Sequence, residues 1–494
     1  MDLTNKDFLG EIGRGAIIAF LSIILGTVLK ISFSYLVIFL ASPVLYGLFS
    51  ILDRIYPILT RTTGGLQSAL YRTIPRLEKD EQNAVITAAI ILSLLISILL
   101  VLGIVFGIDI LIKNTSLDKS HSLAIIIFAL HIPFIILIRI ISAIFKSYKR
   151  IGLANIISTI SEPVSRLTGA VIGLFFVAKT LFGLWLGVMI SIVFLLISSV
   201  WLLFRYTDYE VVSPLSARSV VYEFCVYSRD SSIGTLAAIA QYQGVFILMS
   251  LVLQPLEAGL FSLGVLIVGI IRWPLSAVNQ IFPPIMTDLY NNNEMEELNN
   301  LYKQTTRLLL YCIIPFLSLI IIYPKTILST FSNAYVSDFI VLQVLAIGQA
   351  VAVIIGSVGL LLVMTDHQTE SMWLQIIIDI IFVPIGAFIS FKYGLIGLSV
   401  MMSGLLIINN TLELLLLYIK TELFPFTLSH LKILGTGITV FGSFIIINPP
   451  NIVFSITLFT IVCIFYYVFT YQKILHEEEK MIILNISQTL KKVI

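Results

Sequence analysis

"PVLYGLFS" occupies residues 43–50 and "PLEAGLFS" residues 255–262, so one chain writes P-x-x-x-G-L-F-S twice, 212 positions apart. The register holds outside the octapeptide. "LQSALYRTIPRL" (66–77) falls opposite "VNQIFPPIMTDL" (278–289), again 212 apart. Each copy then runs into a polar connection, "EKDEQN" in one and "YNNNEMEELNN" in the other. Further on, "GLFFVAKTLFGLWLGVMIS" (173–191) matches "GAFISFKYGLIGLSVMMS" (386–403) after a one-residue gap. The chain therefore reads as a duplication. The repeated octapeptide reads as its corner, with Pro closing one helix and a Gly-containing connection allowing the reversal into the next.

The medium is set by composition. Of 494 residues 58% are hydrophobic and only 12% charged, with a mean hydropathy of +1.03. A soluble chain carries roughly twice that charged fraction. Runs of about 20 apolar residues, the length that crosses a bilayer as a helix, recur throughout. They predict helices at about 15–40, 46–68, 84–108, 123–145, 152–177, 181–204, 229–253, 258–280, 306–323, 338–363, 371–391, 395–418, 430–447 and 451–470. The expectation is an all-α polytopic membrane protein of about fourteen spans. Residues 1–210 and 211–420 form two six-helix bundles in parallel repeat, and 421–494 add two helices and an amphipathic tail. Six spans separate the copies, so both halves enter the membrane in the same orientation, and such halves place a substrate site between them.

Lys and Arg gather on the cytoplasmic side of membrane proteins. With both ends inside, nineteen bases fall in inner segments and five in outer loops. That bias predicts a cell-membrane protein with cytoplasmic termini. Asp2, Asp7 and Glu11 precede the first apolar run, which makes a poor secretory leader. A formal charge of +2 gives no argument for nucleic acid. Cys225, Cys312 and Cys463 form no metal or disulfide pattern, and the five histidines are scattered, so neither cofactor nor metal is expected.

A first helix ending "LVIFLASPVLYGLFSIL", followed by "GGLQSALYRTIPRLEKD", resembles the opening of polysaccharide-type (Wzx-like) flippases. These belong to the multidrug/oligosaccharidyl-lipid/polysaccharide (MOP) exporter superfamily, and the resemblance spans essentially the whole chain. It implies a transporter, not an enzyme, that alternates between inward-open and outward-open states. It implies as cargo a polyprenyl-diphosphate-linked oligosaccharide, moved from the inner to the outer leaflet. A monomer is expected.

Charges left inside the membrane carry the chemistry, because ions in lipid are costly enough to need a wet cavity or a partner. Six bases remain, Lys30, Arg54, Arg61, Arg139, Arg166 and Arg272, with four acids, Asp53, Glu162, Asp379 and Glu413. The first half holds five bases and two acids, the second one base and two acids. Guanidinium groups match phosphate oxygens, so the six bases are the expected diphosphate ligands. Arg54 and Arg61 share a helix face with Thr60, Gly64 and Gln67. Bland readings stand beside this one. Glu162 and Arg166 at i,i+4 neutralise one another, Asp53 pairs with Arg54 or Arg61, and Arg139 snorkels. Gln241, Tyr242, Gln243, Asn279 and Gln280 offer amides, a hydroxyl and a ring to sugar.

No ATP-binding G-x-x-x-x-G-K-[ST] occurs, which leaves a proton or sodium gradient as driver. Asp53 and Glu162 have basic neighbours, whereas Asp379 and Glu413 have least support for a charge. Asp379, with Gln375 one turn earlier, is the expected ion site, the alternative being a polar residue hydrogen-bonded between helices. The rival readings are a cation-coupled multidrug exporter of the same superfamily and, from another class, a membrane glycosyltransferase or polymerase. The first helix carries Lys30 and no acid after Glu11, which favours an anionic cargo. Only "DYE" (208–210) resembles a catalytic acid motif.

Overall fold

The computed structural model describes residues 6–447 and 452–480. Side chains of residues 6–19, 151, 233–242, 281, 284, 444–447 and 452–456 lie outside that description. Among the described residues every regular element is helical. Residues Leu25–Leu263 form one compact unit, and the helices from Gly264 onward, with the start of the chain up to Ile24, form another.

The first unit is built from α1 (Lys6–Leu40), α2 (Pro43–Arg61), α3 (Gly64–Thr73), α4 (Lys79–Phe106), α5 (Ile108–Asn114), α6 (Ser122–Ser147), α7 (Ile151–Asn155), α8 (Glu162–Ile172), α9 (Leu181–Tyr206), α10 (Arg218–Val252) and the start of α11 (Pro255–Val268). The second holds the rest of α11, α12 (Trp273–Asn291), α13 (Met295–Ile322), α14 (Pro324–Ser329), α15 (Ile340–Ile355), α16 (Val358–Met364), α17 (Gln368–Thr421), α18 (Leu428–Ile447) and α19 (Ile452–Lys473). The described residues of the expected segments fall largely on helical backbone.

Several of those segments are interrupted. The 46–68 stretch breaks at Thr62–Thr63 into α2 and α3, and 338–363 breaks at Gly356 into α15 and α16. The 258–280 stretch tightens to a 3₁₀ turn at Gly269–Arg272 and then runs on to Asn291. In 152–177, wide π-helical turns at Ile156–Ser161 and Gly173–Val177 flank α8. Such turns are rare and gather at functional sites. Nine of the described helical stretches are long and apolar enough to cross a membrane. One of them, α17, has 54 residues. At 1.5 Å per residue that is about 80 Å, far beyond a ~30 Å hydrocarbon core. Gly394 breaks it with φ 56° and ψ −129°, a backbone only glycine adopts readily, so α17 is two helices.

The duplicated corner corrects its sequence reading. Pro43 and Pro255 do not close the preceding helices but open α2 and α11. At Pro43 the ring occupies the first helical position, where no N–H is needed. The Ser42 hydroxyl caps α2 by accepting from the Leu45 N–H at 3.0 Å. In the second copy the Glu257 carboxylate accepts from the Gln254 N–H at 3.0 Å. Gly47 sits inside α2 for contact, not for turning: a Cβ there would lie 1.6 Å from the Pro255 carbonyl oxygen. The two corners therefore touch backbone to backbone.

Close helix contact recurs where small residues are spaced by four. A Cβ on Gly173 would fall 2.1 Å from the Gly183 carbonyl oxygen, and one on Gly187 2.1 Å from that of Gly169. These small-xxx-small pairs let α8 and α9 meet at backbone distance, the usual device where apolar burial gives no preference between protein and lipid. Around α9, Trp185 is fully buried, with ring centroids 4.6 Å from Phe49 and 4.9 Å from Phe128. In the second unit, Tyr302 donates to the Ile355 carbonyl at 2.8 Å and satisfies an acceptor left where α15 ends. Arg307 of α13 pairs with the fully buried Glu479, just beyond α19, and Gln304 with Glu478. The rest of the expected amphipathic tail, residues 481–494, lies outside the described residues.

Replacing Gly47 with Ala forces the corners apart and should cost at least about 1–3 kcal/mol. Gly103→Ala in α4, where a Cβ meets nothing within 4 Å, should be neutral or slightly stabilising. Thermal unfolding of both variants in detergent checks the contrast.

Candidate functional site: an intramembrane ion network

Three helices of the first unit assemble a network of alternating charge. Asp53 and Tyr56 lie three residues apart on α2, Arg139 projects from α6, and Glu162 and Arg166 stand one turn apart on α8. Pro163 at the start of α8 adjoins the π-helical turn that precedes Glu162. Arg166 Nη1 pairs with Asp53 Oδ1, and its Nη2 lies 3.6 Å from Glu162 Oε1. Arg139 Nη2 lies 3.9 Å from Glu162 Oε2, and Nη1 donates to Thr60 Oγ1 at 2.9 Å. The Tyr56 ring is the hinge of the group. The Arg166 and Arg139 guanidiniums stand 4.8 and 5.4 Å from its centroid, and its hydroxyl donates to Glu162 Oε1 at 3.4 Å.

Two expectations change here. Asp53 pairs with neither Arg54 nor Arg61 but with Arg166, 113 residues away. Arg139 does not snorkel; it turns onto Thr60, Tyr56 and Glu162. Neither partner was readable from spacing along one helix. Tyr56 was missed altogether, although its place three residues after Asp53 and four before Thr60 put it on the same face of α2.

The network uses both acids of the first half on Arg139 and Arg166, so Lys30, Arg54 and Arg61 remain as surplus positive charge. Their surroundings differ. Arg54 donates from Nη2 to the Ser262 carbonyl at 2.9 Å, with its guanidinium 4.7 Å from the Phe246 ring centroid, so its partners are neutral. Lys30 is exposed, feels Glu162 and Asp53 electrostatically, and makes no ion pair. Arg61 is exposed, and the charged group that acts on it is the like-charged Arg139. Beside the network, the fully buried His131 packs 5.2 Å from Tyr56 and 5.5 Å from Trp185 between ring centroids.

In the second unit the polar residues are dispersed. Arg272 is exposed at the end of the 3₁₀ turn. The Asn279 amide oxygen accepts from the Ser357 hydroxyl at 2.5 Å, and the exposed Gln280 donates to the Ser276 carbonyl at 3.2 Å. Gln243, in the first unit, is half-buried, and the side chains of Gln241 and Tyr242 lie outside the described residues. Asp379 is half-buried and makes no ion pair. The amide expected beside it, Gln375, donates instead to Glu413 Oε1 at 2.8 Å across the two arms of α17. Of the two acids expected within the membrane in this half, Glu413 is thus the buried one, at 4% exposure. The offset of 213 that matches 173 with 386 also sets Glu162 opposite Gln375 and Arg166 opposite Asp379. One repeat position therefore carries opposite charge in the two halves. Among the described residues no cluster of His, Cys, Asp and Glu is able to hold a metal ion.

Asp53→Asn leaves Arg166, only 13% exposed, without its strongest partner. The loss should be about 2–4 kcal/mol, below the fully buried limit because Asp53 is 27% exposed. Adding Arg166→Gln should recover part of it. A double-mutant cycle read by thermal unfolding measures the coupling.

No family model and no curated protein sequence matches the chain. Solved structures do match. The lipid II flippase MurJ in an inward closed conformation superposes with a TM-score of 0.72 at 16% identity, covering 92% of this chain and 96% of that one. An inward-facing multidrug resistance MATE family transporter of the MOP superfamily gives 0.67 at 14% identity, covering 80% and 94%. A MOP superfamily transporter from Pyrococcus furiosus, described by the reverse polarity of its binding pocket, gives 0.53 at 15% identity, covering 83% and 95%. The chain is a multi-pass membrane protein with the fold of MOP superfamily transporters.

Proposed function

We propose that the protein is a flippase that carries a polyprenyl-diphosphate-linked oligosaccharide from the cytoplasmic to the outer leaflet by alternating access, for cell-surface glycan synthesis. The observation that carries this reading is the surplus of Lys30, Arg54 and Arg61 once Asp53 and Glu162 are engaged by Arg166 and Arg139. A diphosphate brings at least two negative charges that cannot cross a ~30 Å hydrocarbon core unaided. Lys30 and Arg61, outside any ion pair, and Arg54, held by a carbonyl and a ring, exchange their surroundings for phosphate oxygens at low cost. Arg139 and Arg166 act by positioning, and Arg272 adds a further cation. Gln243, Asn279 and Gln280, with Gln241 and Tyr242, serve the sugar hydroxyls. The protein to which MurJ's name belongs flips lipid II, a precedent for a lipid-linked cargo on this fold.

In this reading fourteen crossings place both ends in the cytoplasm. Residues 1–210 and 211–420 are the repeat units, and 421–494 are added to them. The protein works as a monomer in the cell membrane without a cofactor, and a proton or sodium gradient drives it through Asp379 or Glu413. The second reading, a cation-coupled multidrug exporter, is favoured by the MATE transporters among the structural matches. An excess of bases in the first half suits a cationic drug poorly.

The test is reconstitution in vesicles with a polyprenyl-diphosphate-linked saccharide, followed by leaflet-specific labelling. Lys30→Gln and Arg61→Gln should each slow flipping about tenfold or more, while Lys325→Gln, in the 323–339 connection outside the network, leaves it unchanged. Transport of cationic dyes, with no flipping, would support the exporter instead.

A further inference from the structure

The four intramembrane acids meet different fates. Asp53 and Glu162 are engaged by arginines, and Asp379 is half-buried without an ion pair. Glu413 is nearly sealed at 4% exposure, yet among the described residues no cation pairs with it. Oε1 accepts from Gln375 Nε2 at 2.8 Å. The side chains of Asn409, one turn earlier on the same arm of α17, and Ser371, one turn before Gln375 on the other arm, are further polar neighbours. On α16, Gly359 makes room for the carboxyl: a Cβ there would lie 3.1 Å from Oε2. From α13 the titratable group that faces it is Tyr302, whose proton already goes to the Ile355 carbonyl. The nearest base along α17 is Lys420, seven residues on, and it pairs with Glu370 at 3.3 Å, which also meets His367 at 3.3 Å.

A carboxylate removed from water with only neutral neighbours is far costlier than a neutral carboxylic acid in the same place. A second observation points the same way. Asn409 Oδ1 is a buried acceptor with no hydrogen-bond donor. The Asn409 side chain neighbours the Glu413 carboxyl, and a carboxylic O–H there supplies the missing donor. Glu413 is the single carboxyl among these neighbours, and among the described residues no group of three His, Cys, Asp or Glu stands together to hold a metal ion. We propose that Glu413, with Gln375, Asn409 and Ser371 around it, is a proton-binding site, and that its proton is held by an O–H bond to Asn409 Oδ1 on its own arm of α17 while Gln375 joins the carboxyl to the other arm. The proposal deepens the gradient-driven reading above and rests on it only in placing α17 within the membrane; the cargo does not enter. It moves the ion site from Asp379, where sequence placed it, to Glu413. The site lies eight residues from the end of α17, about 12 Å along the helix.

The test uses the purified full chain in detergent, read by infrared difference spectroscopy between neutral and alkaline pH. A protonated-carboxyl band should be present at neutral pH, be lost on alkalinisation and be missing from Glu413→Gln, which keeps the shape of the neutral acid. Asn409→Leu, which removes the acceptor, should shift that band. Thermal stability supplies the second arm: it should fall as pH rises through the loss of the band in the wild type, and not in Glu413→Gln. A wild-type spectrum identical to that of Glu413→Gln at neutral pH would overturn the proposal. So would a band abolished by sodium at constant pH, which would assign the site to a metal ion. Flipping assays play no part, so a wrong cargo leaves this result standing.

Discussion

The arrangement depends on how the chain disposes of ionic groups in a medium that will not solvate them. A carboxylate or guanidinium in hydrocarbon is tolerable only beside water, an opposite charge or a set of hydrogen bonds. Around Tyr56 the first unit meets this condition by cross-linking three helices: Asp53 from α2, Arg139 from α6, and Glu162 and Arg166 from α8. The same pairing that stabilises the bundle determines which cations stay available. Two arginines are committed, and Lys30, Arg54 and Arg61 are left. One charge balance thus sets both the pairing that holds the helices and the sign of what is left unpaired, because acids and bases are uneven in number.

Duplication supplied the skeleton but not the chemistry. Both corners open a helix with proline, and they meet at Gly47 and Pro255 with no side chain between them. Yet Glu162 and Arg166 in one half stand where the other has Gln375 and Asp379. With no arginine beside it, Glu413 of the second half sits among amides and hydroxyls instead. Pairing suits a group that stays charged, and neutral donors suit one that gains and loses a proton. The two halves of one repeat thus treat their acids differently, one by ion pairs and the other by neutral hydrogen-bonding neighbours.

Sequence by itself determined the class of protein, because apolar length and the scarcity of charge are summed along the chain and need no partner. It also carried the 212-residue register, which is a property of order alone, and it picked out ten charged residues within the apolar segments, though not the buried pair of Arg307 and Glu479. What it misread were relations across space. Pro43 closes α1 by spacing but opens α2 in three dimensions, and Gly47 looks like a turn residue until Pro255 is seen against it. Asp53 has bases one and eight residues away on its own helix, but Arg166 on α8 takes it. Gln375 stands one turn from Asp379 yet reaches Glu413, because helix periodicity fixes only which side chains share a face, and the break at Gly394 decides which faces meet. The cost of burying a charge is local and legible in sequence; the choice of partner that relieves it belongs to helix packing, which tertiary structure alone decided.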